Sequence, residues 1–134
     1  MKEGRAFIDT NVLLYLLSGN ELKAGRAEEL VATKGIISVQ VLNEFASVAT
    51  RKLKMSWPEI QEILSQVRKI CPVQPVSVEV HDCGLKVAER YGYAVYDAMI
   101  IASALLAGCT ALYSEDMQDG QVIDGKLSIL NPFV

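Results

Sequence analysis

Residues 6–16 read AFIDTNVLLYL, a short apolar run that ends in a carboxylate and gives way to a second apolar run. Ala6-Phe7-Ile8 has the length and character of a short buried strand, while the apolar residues from Val12 onward follow helical spacing. Asp9 stands at the handover, followed by the small polar pair Thr10-Asn11. A carboxylate between a buried strand and a buried helix is costly unless something satisfies it. Two roles fit: a helix cap, served by Asp9 or Asn11, or an acid that meets a cation. One acid alone leaves both open.

The alternation of strand and helix continues along the chain. Residues 5–8 form the first strand, and a helix runs to about Ser18, stopped by Gly19-Asn20. A second helix covers residues 21–33, with Leu22, Ala27, Leu30 and Val31 facing inward. Residues 35–39 are a β-branched strand. A long helix follows over 41–54, where Val41, Phe45 and Val48 make an apolar stripe. Ser56-Trp57-Pro58-Glu59 is a helix start: a Ser cap, an early Pro, and a Glu three residues after the Ser. That helix reaches Ile70 and carries Trp57, Ile60, Ile63, Leu64 and Val67 on a broad apolar face. Residues 71–76 hold two prolines and suit an edge strand. Residues 77–90 are helical, and residues 96–107 form the most apolar helix, stopped by Gly108. Residues 111–113 and 126–130 are the last strands, separated by the polar, acid-rich stretch 114–125. Short apolar strands alternating with helices predict an α/β domain with a mostly parallel sheet covered on both faces.

Composition sets the outer limits. The chain has 134 residues, 51% of them hydrophobic and 22% charged, which predicts one domain over residues 1–134 with a substantial core. The net charge of -3 does not favour nucleic acid globally, so a polyanion would need a local basic patch. No apolar run reaches the roughly 20 residues of a membrane span, and the first residues lack signal-peptide architecture. A cytoplasmic protein with no membrane partner is expected. Cys71, Cys83 and Cys109 show no ligand spacing and read as reduced thiols. His81 is the only histidine, so a zinc site is not expected.

Three more acids stand where carboxylates are unusual or well placed for chemistry. Glu44 lies mid-helix, three residues after Val41 and four before Val48, at the border of the apolar face. Asp97 opens the most apolar helix and shares a face with Ile100, Ile101 and Ala104, so its end of the helix is expected to be partly buried. Asp116 follows the strand at 111–113, as Asp9 follows the first. Each alone has an ordinary role: cap, boundary residue or solvated loop acid. Together they point elsewhere, because ligand sites of such sheets lie beyond the carboxyl ends of the strands. Right-handed crossovers can gather all four at one edge. Carboxylates sharing a pocket take up protons or hold a cation, and oxygen ligands without His or Cys select magnesium or manganese. Such a site, with no phosphate-cradling loop, suits phosphodiester hydrolysis.

Asp9-Thr10-Asn11 after a first strand, Glu44 on a later helix, Asp97 opening an apolar helix, and Ser114-Glu115-Asp116-Met117-Gln118-Asp119-Gly120 after a strand resemble a PIN domain. The closest likeness is to the VapC-type ribonuclease toxins of prokaryotic toxin–antitoxin modules, and the ending GQVIDGKLSILNPF (residues 120–133) is similar to the tail of such toxins. The resemblance implies a three-layer α/β/α sandwich and a magnesium-dependent endoribonuclease, with manganese as a substitute. It also implies a homodimer neutralised by a cognate antitoxin, some of whose contacts fall on the helix from Trp57 to Ile70. By motif position, Asp9, Glu44, Asp97 and Asp116 become the catalytic acids. Asp9 and Asp97 would ligate the metal, Asp116 would complete the site directly or through water, and Glu44 would ligate, orient a water or act from just outside the ligands. Thr10, Asn11 and Ser114 would steady the acids by hydrogen bonds. Asp119 is a further supporting candidate, better explained as a solvated turn residue.

Positive charge for RNA is sparse. Arg51, Lys52 and Lys54 lie two to three turns beyond Glu44, and Arg5, Lys86 and Arg90 are further candidates, although charges at a helix end usually form a solvated face. Two other readings share the fold: a PIN-fold module that binds RNA or protein without cutting, and a PIN nuclease of RNA maturation. A haloacid-dehalogenase-like phosphatase needs a second Asp where Asn11 stands. A response-regulator receiver needs paired acids beside Asp9 and a well-placed late Lys, which Lys126 is not.

Overall fold

A computed structural model describes residues 4–134. The expectation about the chain's first residues falls largely on residues 1–3, outside that range. Arg5–Ile8 is strand β1, whose buried end is Phe7-Ile8. Asp9 caps the short helix α1, Thr10–Leu13, by accepting a hydrogen bond from the Thr10 N–H at 2.7 Å. The expected helix to Ser18 stops early: Leu14–Leu17 tightens into a 3-10 turn before Ser18 and Gly19 redirect the chain. Helix α2, Glu21–Ala32, is capped by Asn20 and buries Ala27, Leu30 and Val31. Leu22 does not face inward; it is 89% exposed. At 3.6 residues per turn it lies about 140° round the helix from Ala27, off the buried stripe.

Strand β2 is Ile37–Ser38. Ser38 caps helix α3, Val39–Arg51, which begins and ends earlier than the apolar stripe suggests. Its end matters for the basic cluster. Lys52 is the C-terminal cap and Lys54 has a positive φ of 56°, so only Arg51 of the three is helical. Helix α4, Trp57–Ile70, starts with the expected capping box: the Glu59 N–H donates to the Ser56 hydroxyl, and the Ser56 N–H donates to the Glu59 carboxylate. Its apolar face buries Ile60 and Val67, while Trp57 remains 59% exposed. Strand β3, Val73–Gln74, pairs parallel with β2. Helices α5, Val78–Tyr91, and α6, Val95–Leu106, pack on each other. Gly84 permits that approach, since a Cβ there would sit 2.4 Å from the Met99 sulfur. Strand β4 is Cys109–Tyr113, β5 is Val122–Ile123 and β6 is Leu127–Leu130. Strand β5 lies inside the stretch that composition marks only as polar loop.

The main sheet has the order β1-β4-β6-β5, parallel except for β5 against β6. A bridge between Phe7 and Ile36 joins its β1 edge to the β2-β3 pair. Helix α6 packs on β4 and carries α5, whereas α1, α3, α4 and α2 pack among themselves, giving a mostly parallel sheet flanked by helices. Phe7, Ile8, Leu112, Ile129, Phe45 and Ile101 meet in one core of fully buried side chains. Burying side chains of this kind contributes about 1.5–3 kcal/mol each, so the sheet-to-helix packing is what fixes the strand ends. Cys71, Cys83 and Cys109 are free thiols. No described helix is long and apolar enough to cross a membrane.

Candidate active site

The register places the site. Ile8 pairs with Tyr113, so β1 and β4 end side by side, and the next residues, Asp9 and Ser114, emerge together. The Asp9 N–H continues the ladder to the Tyr113 carbonyl at 3.0 Å. Asp9 is only 5% exposed and Ser114 is fully buried. The Asp9 carboxylate accepts three hydrogen bonds, from the Thr10 N–H, from Asn11 Nδ2 at 3.2 Å and from Ser114 Oγ at 2.9 Å. It is therefore a helix cap and a buried acid at once.

Thr10 and Asn11 carry the contacts outward. Thr10 Oγ1 donates to Glu44 Oε1 at 2.7 Å, which anchors α3 to the start of α1. Asn11 Nδ2 lies 3.1 Å from Asp116 Oδ2, and Asn11 Oδ1 accepts the Glu115 N–H at 3.0 Å. One amide thus holds the loop after β4 against the loop after β1. Asp9, Glu44 and Asp116, from three separate parts of the chain, are tied together by two adjacent side chains. Gln40, one turn before Glu44, donates to Glu44 Oε2 at 3.3 Å and to the Tyr96 carbonyl at 2.9 Å. That residue escapes a search for acids, although its place four positions before Glu44 is a helical-neighbour signal.

Asp97 sits in the first turn of α6. Its end of the helix is exposed rather than partly buried, because Ala94, Val95 and Tyr96 stand out from the surface. Asp97 belongs to the cluster electrostatically. Desolvation by the surrounding chain, then the carboxylates of Glu44 and Asp116, raise its pKa above the usual range. Burial pushes the Asp9 carboxyl up to about 6, opposed by its hydrogen bonds from Ser114 and Thr10 and reinforced by Asp97 and Glu44. The four acids thus influence one another's ionisation as one anionic cluster.

The other candidates separate. Asp119 turns away and accepts the Asn131 N–H at 2.8 Å, a brace for the end of the chain. Arg51 donates to Ser47 on its own helix. Lys52 and Lys54 lie past the helix end, exposed. A basic residue near the acids that the sequence reading passed over is Lys23, which pairs with Glu115 at 2.7 Å beside the Tyr15 hydroxyl. That pairing holds Glu115 below the usual carboxylate range, so Glu115 steadies the loop while its neighbour Asp116 meets Asn11.

The donor set is all oxygen, which fits a hard divalent cation such as magnesium or manganese and does not fit zinc. Among the described residues, no three His, Cys, Asp or Glu side chains already converge at ligating separation. The acids are linked by hydrogen bonds and by their fields without forming a closed cage, an arrangement compatible with magnesium, which keeps several waters and takes few carboxylates.

Comparison with known proteins supports the architecture. The fold is similar to a toxin–antitoxin complex from Klebsiella pneumoniae, with a TM-score of 0.72 and 21% identity over 95% of this chain and 97% of that one. It is similar to VapC20 of Mycobacterium tuberculosis, described as a sarcin–ricin loop cleaving toxin, with a TM-score of 0.66 and 21% identity over 83% of this chain and 89% of that one. A FitAB structure bound to a DNA fragment matches with a TM-score of 0.69 and 18% identity over 96% of each chain. Among curated proteins, none matches this sequence. The family model for the PIN domain matches residues 6–119. That span runs from β1 through Asp9, Glu44, Asp97 and Asp116, and the chain belongs to the PIN-domain family.

Proposed function

We propose that this protein is a divalent-metal-dependent endoribonuclease, the toxin of a toxin–antitoxin pair, acting in the cytoplasm as one domain over residues 1–134. The observation that carries this reading is the pair of side-chain links from Thr10 to Glu44 and from Asn11 to both Asp9 and Asp116. Burial costs the Asp9 carboxylate its solvation, and these links go beyond what a simple cap requires. They make sense for an acid cluster built to meet a cation and a phosphodiester.

Asp9, Asp97 and Asp116 would hold the metal, with Glu44 beside them. When bound, magnesium or manganese supplies an activated water and stabilises charge on the leaving oxygen. The chain's own contribution is placement. Asn11 keeps the Asp9 and Asp116 carboxylates facing one another, and Thr10 and Gln40 fix both oxygens of Glu44. Ser114 and Thr10 bonds hold Asp9 ready to ionise despite its burial. The toxin role draws on the similar toxin–antitoxin complex and on the similar structure described as a sarcin–ricin loop cleaving toxin. It brings with it a cognate antitoxin and a homodimer as partners.

Purified protein incubated with total cellular RNA in magnesium, manganese or EDTA tests the reading. Discrete fragments that require metal are expected. Intact RNA in all three, with RNA still retained by the protein, would instead support a PIN-fold binding module.

A further inference from the structure

We propose that the groove beside the acids is a nucleobase subsite, in which Tyr96 stacks on a base of single-stranded RNA flanking the cut phosphate; this rests on the endoribonuclease reading. The groove has a volume of about 410 Å³ and is lined by Val39, Gln40, Asn43, Glu44, Val76 and Tyr96. Tyr96 is 72% exposed, Val76 51% and Val39 37%. Apolar and aromatic surface is thus left open against a carboxylate cluster, where water gains little from it.

The groove and the acids are one unit. Glu44 is a wall of the groove and a member of the cluster. Gln40 joins them, bonding Glu44 on one side and the Tyr96 carbonyl on the other, which pins the start of α6 to α3. Asp97 is the residue after Tyr96, so the aromatic ring is carried on the same helical turn as a candidate metal ligand. A strand whose phosphate meets the acids must send the adjoining base somewhere within one nucleotide, and this groove borders them.

The lining chemistry selects the base rather than another phosphate. Among the described residues no Lys or Arg lines the groove and one carboxylate does, so an anion is disfavoured. Two valines and a tyrosine offer flat apolar contact. The Asn43 amide offers a donor and an acceptor for a base edge, and Gln40, whose N–H groups go to Glu44 and the Tyr96 carbonyl, offers its oxygen as an acceptor. Unpaired bases of RNA are recognised in this way, by stacking on aromatic side chains and bonding along their edges. Every base has a π-face, so the subsite tolerates sequence, and the amides supply what preference there is.

The test uses short single-stranded RNAs carrying 2-aminopurine at successive positions, titrated in magnesium onto the Asp9→Asn protein, alone and with Tyr96→Ala or Tyr96→Phe. Quenching confined to one or two positions is expected, kept by Tyr96→Phe. It should be lost in Tyr96→Ala, with a roughly 5- to 100-fold weaker Kd. Equal quenching and affinity in Tyr96→Ala, or no position-dependent quenching, overturns the subsite. Sedimentation of the Tyr96 variants in the same buffer covers the remaining occupant. If Tyr96→Ala dissociates a dimer, the groove is an interface between copies and the proposal fails. Cleavage by the Tyr96 variants without the Asp9 change separates this from the parent reading. Wild-type cleavage unaffected by Tyr96→Ala refutes the subsite alone, whereas Tyr96-dependent quenching without any wild-type cleavage refutes the nuclease and keeps the subsite.

Discussion

Replacing Asp9 with Asn should make the metal-free protein more stable while removing its activity. Asp9 is 5% exposed, and its carboxyl is pushed from 3.8 up to about 6, first by burial. The folded protein therefore holds the Asp9 proton more tightly than the unfolded chain does. This group's contribution is most favourable at acid pH, falls as pH rises from about 4 to about 6, and is flat above that. A shift of that size corresponds to about 3 kcal/mol of penalty at pH 7. Asn removes the charge but presents an amide hydrogen pair toward Asn11 Nδ2, a misfit of about 1 kcal/mol. The net gain should be about 1–2 kcal/mol at pH 7, a rise in Tm of roughly 3–8 °C for a chain of this size. By pH 4.5 most of the charge-dependent difference should have disappeared. Thermal unfolding of both proteins in EDTA between pH 4.5 and 7.5 measures it. A variant less stable than wild type at pH 7, or a difference that does not change with pH, would show that Asp9 is not a destabilising buried charge.

Other perturbations separate the site from its scaffold. Asn11→Ala removes the donor shared by Asp9 and Asp116, and metal-dependent cleavage should drop about 10- to 100-fold with an unchanged circular-dichroism spectrum. Ser56→Ala breaks the capping box of α4 far from the acids. Urea unfolding should show a loss of about 1 kcal/mol, with cleavage rates equal to wild type. Gly84→Ala drives a methyl against the end of the Met99 side chain where α5 and α6 meet; the cost of displacing the thioether is offset in part by the better helix propensity of Ala, for a net loss of about 0–2 kcal/mol by the same assay. Because Met99 lies on the helix that carries Asp97, cleavage should fall as well.

Much of this arrangement is legible in local sequence because its causes are local. The handover at Asp9 is visible because a strand, a cap and a helix meet within a few residues. The start of α4 is visible because Ser56 and Glu59 satisfy each other's backbone N–H groups. Elsewhere the deciding contacts are distant. Strand β5 exists because Val122 and Ile123 pair with Ser128 and Leu127, which polar neighbours conceal. Lys52 and Lys54 look helical by charge and spacing, but the chain turns at Lys54 through a positive φ. Gln40 looks like any helical Gln until α6 brings the Tyr96 carbonyl to it. The acids were findable by type and position. The side chains that link them were less so, because Thr10 to Glu44 and Asn11 to Asp116 span 34 and 105 residues of sequence.

Asp97 provides the most direct test of the central claim that the four carboxylates act as one site. It has no hydrogen bond to the other three among the described residues, and only the fold and shared field join it to them. Wild type, Asp9→Asn and Asp97→Asn should be compared for cleavage of total cellular RNA in magnesium and manganese, with fragment ends mapped. Wild type should give discrete, metal-dependent fragments and neither variant any, with Asp97→Asn still folded. Cleavage by Asp97→Asn at the wild-type rate and positions would contradict it.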